Sequence, residues 1–149
     1  MKIKLITLSI FASLLLLGCQ ENKTKSTLSD VPKKSIRIVS LSGALSEIIV
    51  GLGYESQIVA TDITSNFPES LNKLPKVGHN RSIQAEGVLA QNPDVVVGIE
   101  KDLNPKVVQQ IKLSGVKVVL FNHEYSIQGT KNLIKSIKDS LNYETQNDS

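Results

Sequence analysis

The stretch LPKVGHNRSIQAEGVLAQNPDVVV (residues 74–97) decides the fold, because a loop, a helical pattern and an apolar run follow one another directly. Residues 82–91 have apolar positions at helical spacing, and Asn92-Pro93 ends that helix. Residues 94–98 form a short β-branched run, which is typical of a strand buried in a parallel sheet. The stretch therefore predicts one helix–strand unit whose preceding loop is exposed.

The rest of the chain continues this alternation. Residues 64–76 contain Pro68 and Pro75 and are expected to be irregular, with one helical turn after Phe67. The other predicted elements are strands at 36–40, 58–61 and 116–121, and helices at 44–52, 104–114 and 126–141. We therefore predict an α/β fold, a Rossmann-like lobe in which a short parallel sheet is flanked by helices.

The loops that leave the strands are expected to share one edge of this sheet. Ligands of open α/β sheets bind at the edge where the strands end. The loops predicted to line this surface are residues 40–43, 62–68, 100–102 and 122–125. The loop that carries His79 is expected to face the same side.

His79 and Arg81 are the clearest candidate binding residues. His79 is one of two histidines in the chain, and it follows Gly78, which permits a positive φ. Arg81 supplies a fixed cation suited to carboxylates. An imidazole and a guanidinium in one loop indicate a ligand site. The alternatives are a solvated histidine and a surface salt bridge.

The N-terminal residues predict a lipoprotein. Lys2 and Lys4 precede an apolar run that is short for a membrane span, so residues 1–18 are predicted to be a signal peptide. The run ends in Leu-Leu-Gly-Cys, which resembles a bacterial lipobox, with Cys19 as the lipidated residue. An uncleaved anchor helix with a buried cysteine is the alternative. Residues 19–34 read as a flexible tether, which places the protein at the periplasm or cell envelope, held on a membrane.

Charge and composition exclude several function classes. The formal net charge is +3. Without the two lysines of the signal peptide, 15 basic residues face 14 acidic ones and the charge is +1, which gives no support to nucleic-acid binding. The absence of tryptophan argues against an aromatic carbohydrate platform. Ser-Leu-Ser-Gly follows the first strand in place of Gly-x-Gly-x-x-Gly, and neither a P-loop nor a nucleophile elbow is present, so we do not expect an enzyme.

The order of these segments resembles the N-terminal lobe of cluster-type periplasmic binding proteins. The segments that carry the resemblance are RIVSLSGALSEIIVGLG, IVATDITSNFPES, LPKVGHNRSIQAEGVLAQNPDVVV and VVQQIKLSGVKVVLF. These proteins serve ABC importers of haem, cobalamin and ferric siderophores. The haem-carrier branch is the most similar, because its motif reads Leu-Pro-x-Val-Gly-Tyr-x-Arg.

The resemblance implies a haem site. His79 occupies the position of the tyrosine that coordinates haem iron, and imidazole is itself a common haem ligand. Arg81 matches the arginine of the motif and is expected to pair with a haem propionate. No motif supports His123, but its place on the presumed cleft edge makes it a candidate second or alternative metal ligand, and Tyr125 is a similar candidate. Solvated loop residues are the alternative.

The resemblance also implies a partner and a domain organisation. Glu86 matches the glutamate that docks onto arginines of the permease, with Glu47 a weaker candidate and a solvated helix charge the alternative. Residues 35–141 match the N-terminal ligand-binding lobe. Residues 142–149 read as a polar tail, an apparent truncation before the interlobe helix. A single lobe that acts by self-association is the other reading.

The expected function is that of a lipid-anchored substrate-binding component of an ABC import system. It would capture haem as a transported ligand, without a catalytic cofactor, and deliver it to the membrane permease. Binding of cobalamin or a ferric siderophore is the alternative within the superfamily. A structural lipoprotein that binds no ligand is the alternative outside it.

Overall fold

A four-stranded parallel sheet forms the centre of the computed structural model, which describes residues 35–147. The strands are β1 (Ile38–Ser40), β2 (Ile58–Thr61), β3 (Val95–Ile99) and β4 (Lys117–Phe121). Their order in the sheet is β2-β1-β3-β4, and every neighbouring pair is parallel. The parallel arrangement brings the carboxyl ends of all four strands to one edge.

Helices connect the strands and cover both faces of the sheet. The α-helices are α1 (Gly43–Gly51), α2 (Ala85–Leu89), α3 (Pro105–Leu113) and α4 (Ile127–Asn147). Short 3-10 turns occupy Glu55–Gln57, Glu69–Lys73, Asn80–Ser82 and Glu100–Asp102. None of the helices within residues 35–147 is both long enough and apolar enough to span a membrane.

Alternate residues of the strands feed two separate cores. Ile38 of β1 faces the core that α1 and α4 complete with Leu45 and Ile137. Its neighbour Val39 faces the core that α2 and α3 complete, for example with Val88. A sheet covered on both faces needs strands that are apolar throughout, and all five residues of β3 are buried. The predicted α/β fold with a short, helix-flanked parallel sheet is confirmed.

The predicted helix at residues 82–91 is too long. The chain forms a 3-10 turn at Asn80–Ser82, then runs extended through Ile83 and Gln84, and helix α2 begins only at Ala85. The extended backbone turns the Ile83 side chain into the core, where it is 3% exposed. Burial of this side chain outweighs the local helical pattern.

Helix α4 extends beyond its predicted end at residue 141. It continues through Asn147, so residues 142–147, which were predicted as a polar tail, belong to the helix. The Tyr54 hydroxyl donates to Asn142 Oδ1 (2.7 Å) and ties this part of the helix to the turn that follows α1. Its apolar positions are only partly buried, because Leu133, Ile137 and Leu141 lie in the core whereas Ile127 and Ile134 are exposed.

The predicted signal peptide and tether, including the lipidation site Cys19, lie outside the described residues.

Candidate functional site

The loop that carries His79 is held along the end of strand β2. The Thr61 N–H donates to the Pro75 carbonyl (3.0 Å), and the Val77 N–H donates back to the Thr61 carbonyl (2.9 Å). One step further, the Ile63 N–H donates to the Gly78 carbonyl (3.0 Å). These bonds extend the sheet beyond β2 and bring His79 to the carboxyl edge, as the sequence predicts.

Gly78 gives this loop its turn. Its φ is +110°, a conformation that L side chains rarely adopt, so the position requires glycine. The predicted role of Gly78, to permit a positive φ directly before His79, is confirmed.

The His79 side chain is exposed and caps the 3-10 turn that follows it. Its Nδ1 accepts a hydrogen bond from the Arg81 backbone N–H (3.3 Å). A neutral imidazole carries one N–H, so this bond assigns the proton to Nε2. Ligation of a metal through Nε2 therefore needs the proton to move to Nδ1, which breaks the capping bond.

The Arg81 side chain, two residues after His79, is exposed. Within residues 35–147 it makes no hydrogen bond or ion pair, since the only Arg81 contact is through its backbone N–H. Its donors therefore point into solvent and can receive a carboxylate in the bidentate geometry that suits a guanidinium.

A buried polar cluster, which the sequence did not predict, supports the two loops at this edge. Asp62 is fully buried, and its carboxylate accepts hydrogen bonds from the hydroxyls of Thr64 (2.5 Å) and Ser65 (2.6 Å). The Ser46 hydroxyl lies 2.8 Å from the hydroxyls of both Ser65 and Ser40. Residues 40–43 were expected to line the surface, but Ser40 is fully buried because its hydroxyl belongs to this cluster.

Backbone bonds and one lysine connect the buried polar cluster to the His79 loop. The Asp62 N–H donates to the Ser40 carbonyl (3.0 Å), which joins the ends of β1 and β2. The Lys76 ammonium donates to Thr61 Oγ1 (2.9 Å) and to the Ser65 carbonyl (2.6 Å). The segment before His79 is therefore held both by backbone hydrogen bonds and by the side-chain hydrogen bonds of Lys76.

A second group of side chains lies at the other end of the same edge. The rings of His123 and Tyr125 are 4.5 Å apart between centroids, and the Lys101 ammonium lies 4.2 Å from the centroid of the Tyr125 ring. Lys101 follows β3, whereas the two rings follow β4. The predicted surface loops 100–102 and 122–125 are therefore brought together at this rim.

The structure does not bring His79 and His123 together. The strand order places β2 three strand spacings from β4, which corresponds to about 14 Å. Across the described residues, no group of three or more histidine, cysteine, aspartate or glutamate side chains could hold a metal ion. The role of His123 as a second or alternative ligand stays a prediction, and it is separate from any role of His79.

The two glutamates considered for docking occupy different faces of the molecule. Glu86 is exposed in the first turn of α2, and Glu47 is exposed on α1. The two helices pack on opposite faces of the sheet. A partner that docks flat against one face of the sheet can therefore contact Glu86 or Glu47, but not both.

Comparison with known families agrees with this architecture. A family model described as "Periplasmic binding protein" matches residues 38–146, which is most of the chain. The chain belongs to the periplasmic binding protein family. The resemblance found in the sequence is thereby confirmed, and the match spans all four strands.

Relatives of this periplasmic binding protein include proteins named for heme and for vitamin B12. A crystal structure of a periplasmic heme binding protein from Pseudomonas aeruginosa is 40% identical, with a TM-score of 0.67, over 71% of this chain and 38% of that one. The ABC transporter substrate-binding lipoprotein YvrC of Bacillus subtilis is 28% identical over 76% of this chain and 36% of its own length. A vitamin B12-binding protein of Vibrio parahaemolyticus is 28% identical over 63% of this chain and 32% of its own length. The chain thus spans about a third of the length of these curated relatives.

Proposed function

We propose that this periplasmic binding protein captures haem and delivers it to an ABC permease. The observation that carries the proposal is the presence of an exposed imidazole and an exposed guanidinium, two residues apart, in one loop at the carboxyl edge of the sheet. Imidazole is a haem ligand, and a guanidinium binds the propionates that haem carries. The likeness to the Pseudomonas aeruginosa heme binding protein supports this choice of ligand.

Capture of haem uses ligation and ion pairing only. His79 Nε2 coordinates the iron, its proton passes to Nδ1, and the bond from the Arg81 N–H is lost. Loss of a helix cap costs about 1 kcal/mol, which is small beside the gain from a metal–ligand bond. Arg81 pairs with a propionate at the same time, so the chemistry is reversible and the haem can be released unchanged.

Delivery depends on recognition by the permease. In the proposed complex, Glu86 meets a guanidinium of the permease, and such surface pairs mainly set orientation and association rate. Lipidation of Cys19 would hold the protein at the membrane that contains the permease, in the periplasm or cell envelope.

Cobalamin is the second candidate ligand, because several curated relatives are vitamin B12-binding proteins. Cobalamin brings its own cobalt ligands, so His79 would then contribute no metal bond. Ferric siderophores, which also supply the ligands of their metal themselves, are the other alternative. Competition titrations with each of these ligands against haem rank the candidates directly.

A visible-absorbance titration with haem tests the proposal. The wild-type chain is expected to give a saturable Soret shift with a dissociation constant in the micromolar range or tighter, on the order of −8 kcal/mol. His79→Ala removes both the imidazole and the cap. His79→Asn removes the imidazole but supplies a favourable N-cap side chain. Both variants are expected to lose the shift.

The two variants separate ligation from loop structure. If His79→Asn, shown by circular dichroism to be folded, keeps the wild-type Soret position, then His79 is not the iron ligand. If the folded wild-type chain gives no shift with haem but binds cobalamin, the second candidate replaces the first.

A further inference from the structure

We propose that Lys101, Tyr125 and His123 form a second ligand contact at the β4 end of the edge, which receives a carboxylate side chain and the flat ring system of the ligand. This rim contact rests on the proposed capture of haem and goes beyond it. It assigns His123 a ring-packing role instead of a metal bond.

The exposure of Tyr125 is the first reason. Its side chain is 77% exposed, although burial of a tyrosine ring normally stabilises a fold. The ring is held by two neighbours instead: the His123 imidazole, tilted by 41° against it, and the Lys101 ammonium over its face. Contacts of these kinds favour one orientation of an exposed ring and leave much of its surface open to a flat partner.

The charge of Lys101 is the second reason. Within the described chain its ammonium makes no ion pair, and its one recorded contact is with the Tyr125 ring. The nearby acids Glu100 and Asp102 belong to the same 3-10 turn, and Glu124 accepts a hydrogen bond from the Ser126 hydroxyl (3.1 Å). A carboxylate that approaches the open side of this ammonium gains an ion pair without displacing one.

The position along the edge is the third reason. Lys101 follows β3, which lies two strand spacings from β2, and the His79 loop continues the sheet by about one more spacing, so the two positions are about 14 Å apart. Because the metal lies at the centre of the porphyrin, a propionate reaches about half of the ring's breadth away from His79, and the extended side chains of His79 and Lys101 cover the rest of this gap. A planar ligand bound through its metal to His79 can therefore reach Lys101 with a propionate.

Titration of the full chain with haem and with haem dimethyl ester tests the rim contact. The diester keeps the iron and the ring but has no free carboxylates. Lys101→Ala is expected to weaken haem binding about fivefold and diester binding clearly less, since the diester loses only the support that Lys101 gives to the Tyr125 ring, whereas haem also loses an exposed ion pair of up to about 1 kcal/mol. Tyr125→Ala is expected to weaken both ligands about fivefold, because the ring contact does not need the carboxylate.

The matched control is Lys138→Ala, which removes an exposed lysine from α4 and is expected to change neither affinity. The Soret position should stay that of the wild type in all three variants, since His79 is intact. Equal affinities for haem in Lys101→Ala and wild type would overturn the carboxylate role, as would equal losses for haem and its diester. A wild-type chain that binds no haem would instead refute the proposed function and the rim contact with it.

Discussion

His79 uses one ring nitrogen to close the turn that follows it, so the loop geometry and the candidate metal bond depend on the same imidazole. The neutral ring can support one of these arrangements at a time, because the proton must leave Nε2 before a metal can bind there. The capping bond therefore positions the side chain in the absence of ligand. Metal binding breaks this bond, which lowers the binding free energy by about the value of one capping bond.

His79→Tyr restores the residue that the related motif has at this position. We expect the variant to bind ferric haem and to show the charge-transfer band of an iron–phenolate complex. A phenolate is anionic and favours ferric iron, whereas imidazole binds both states, so the variant should lose affinity about tenfold on reduction and the wild type should not. Absorbance spectra before and after reduction with dithionite measure this difference.

His79→Phe is the control, since it keeps the ring but has no ligand atom. A His79→Tyr spectrum identical to that of His79→Phe would contradict ligation at this position.

For individual residues, the sequence predicted the candidate binding residues but not the contacts that they make. Gly78 could be identified because a glycine directly before a polar loop indicates a positive φ. The capping bond to His79 could not, because it exists only when residues 80–82 form a 3-10 turn. The contact between Lys101 and Tyr125 likewise depends on two loops that only the sheet brings together.

Among the elements, the loops after β1 and β2 are joined by side chains that a sequence pattern assigns to the surface. Serines near the end of a strand normally indicate a solvated turn. Here Ser46 forms hydrogen bonds with Ser40 and Ser65 in the interior, and Ser65 donates to the buried Asp62 carboxylate. Buried hydroxyls are tolerated when each has a partner, and here they hold α1 close to both loops. The length of α2 was mispredicted for a related reason, because a tertiary contact of Ile83 determined its start.

Ser46→Ala is expected to lower the free energy of unfolding by about 1–3 kcal/mol, because it leaves two buried hydroxyls without one partner each. Urea unfolding followed by circular dichroism measures the change. Ser136→Ala, on the exposed side of α4, is the matched control and should stay within about 0.5 kcal/mol of the wild type. Equal stabilities for the two variants would show that the buried polar cluster contributes little.

On the scale of the whole molecule, the sheet determines where a partner can bind. Apolar strands and alternating helices predicted the α/β fold and the shared edge of the loops, because parallel sheets are covered on both faces. The strand order could not be predicted from one sequence, since every strand is similarly short and apolar. That order separates the rim contact from His79, and the helices divide Glu47 from Glu86.

Glu86→Lys is expected to lower permease-dependent haem uptake about tenfold and to leave the haem dissociation constant unchanged. The substitution puts like charges opposite each other in the proposed complex, which costs several kcal/mol at a well-matched contact and less at an exposed one. Glu55→Lys reverses another exposed glutamate, in the turn after α1, and should have no effect on uptake. Parallel loss of uptake and haem binding in Glu86→Lys would indicate misfolding instead of a docking role.

The way in which His79 closes its turn has a consequence for the Arg81 backbone amide. That amide has the His79 ring as its only acceptor among the described residues, so its protection from exchange with deuterated water depends on where the imidazole is. When a metal takes the imidazole, this single amide should exchange faster while the amides of β3 stay protected. One backbone proton next to the site can therefore serve as a built-in indicator of occupancy for any metal-bearing ligand, including one without colour.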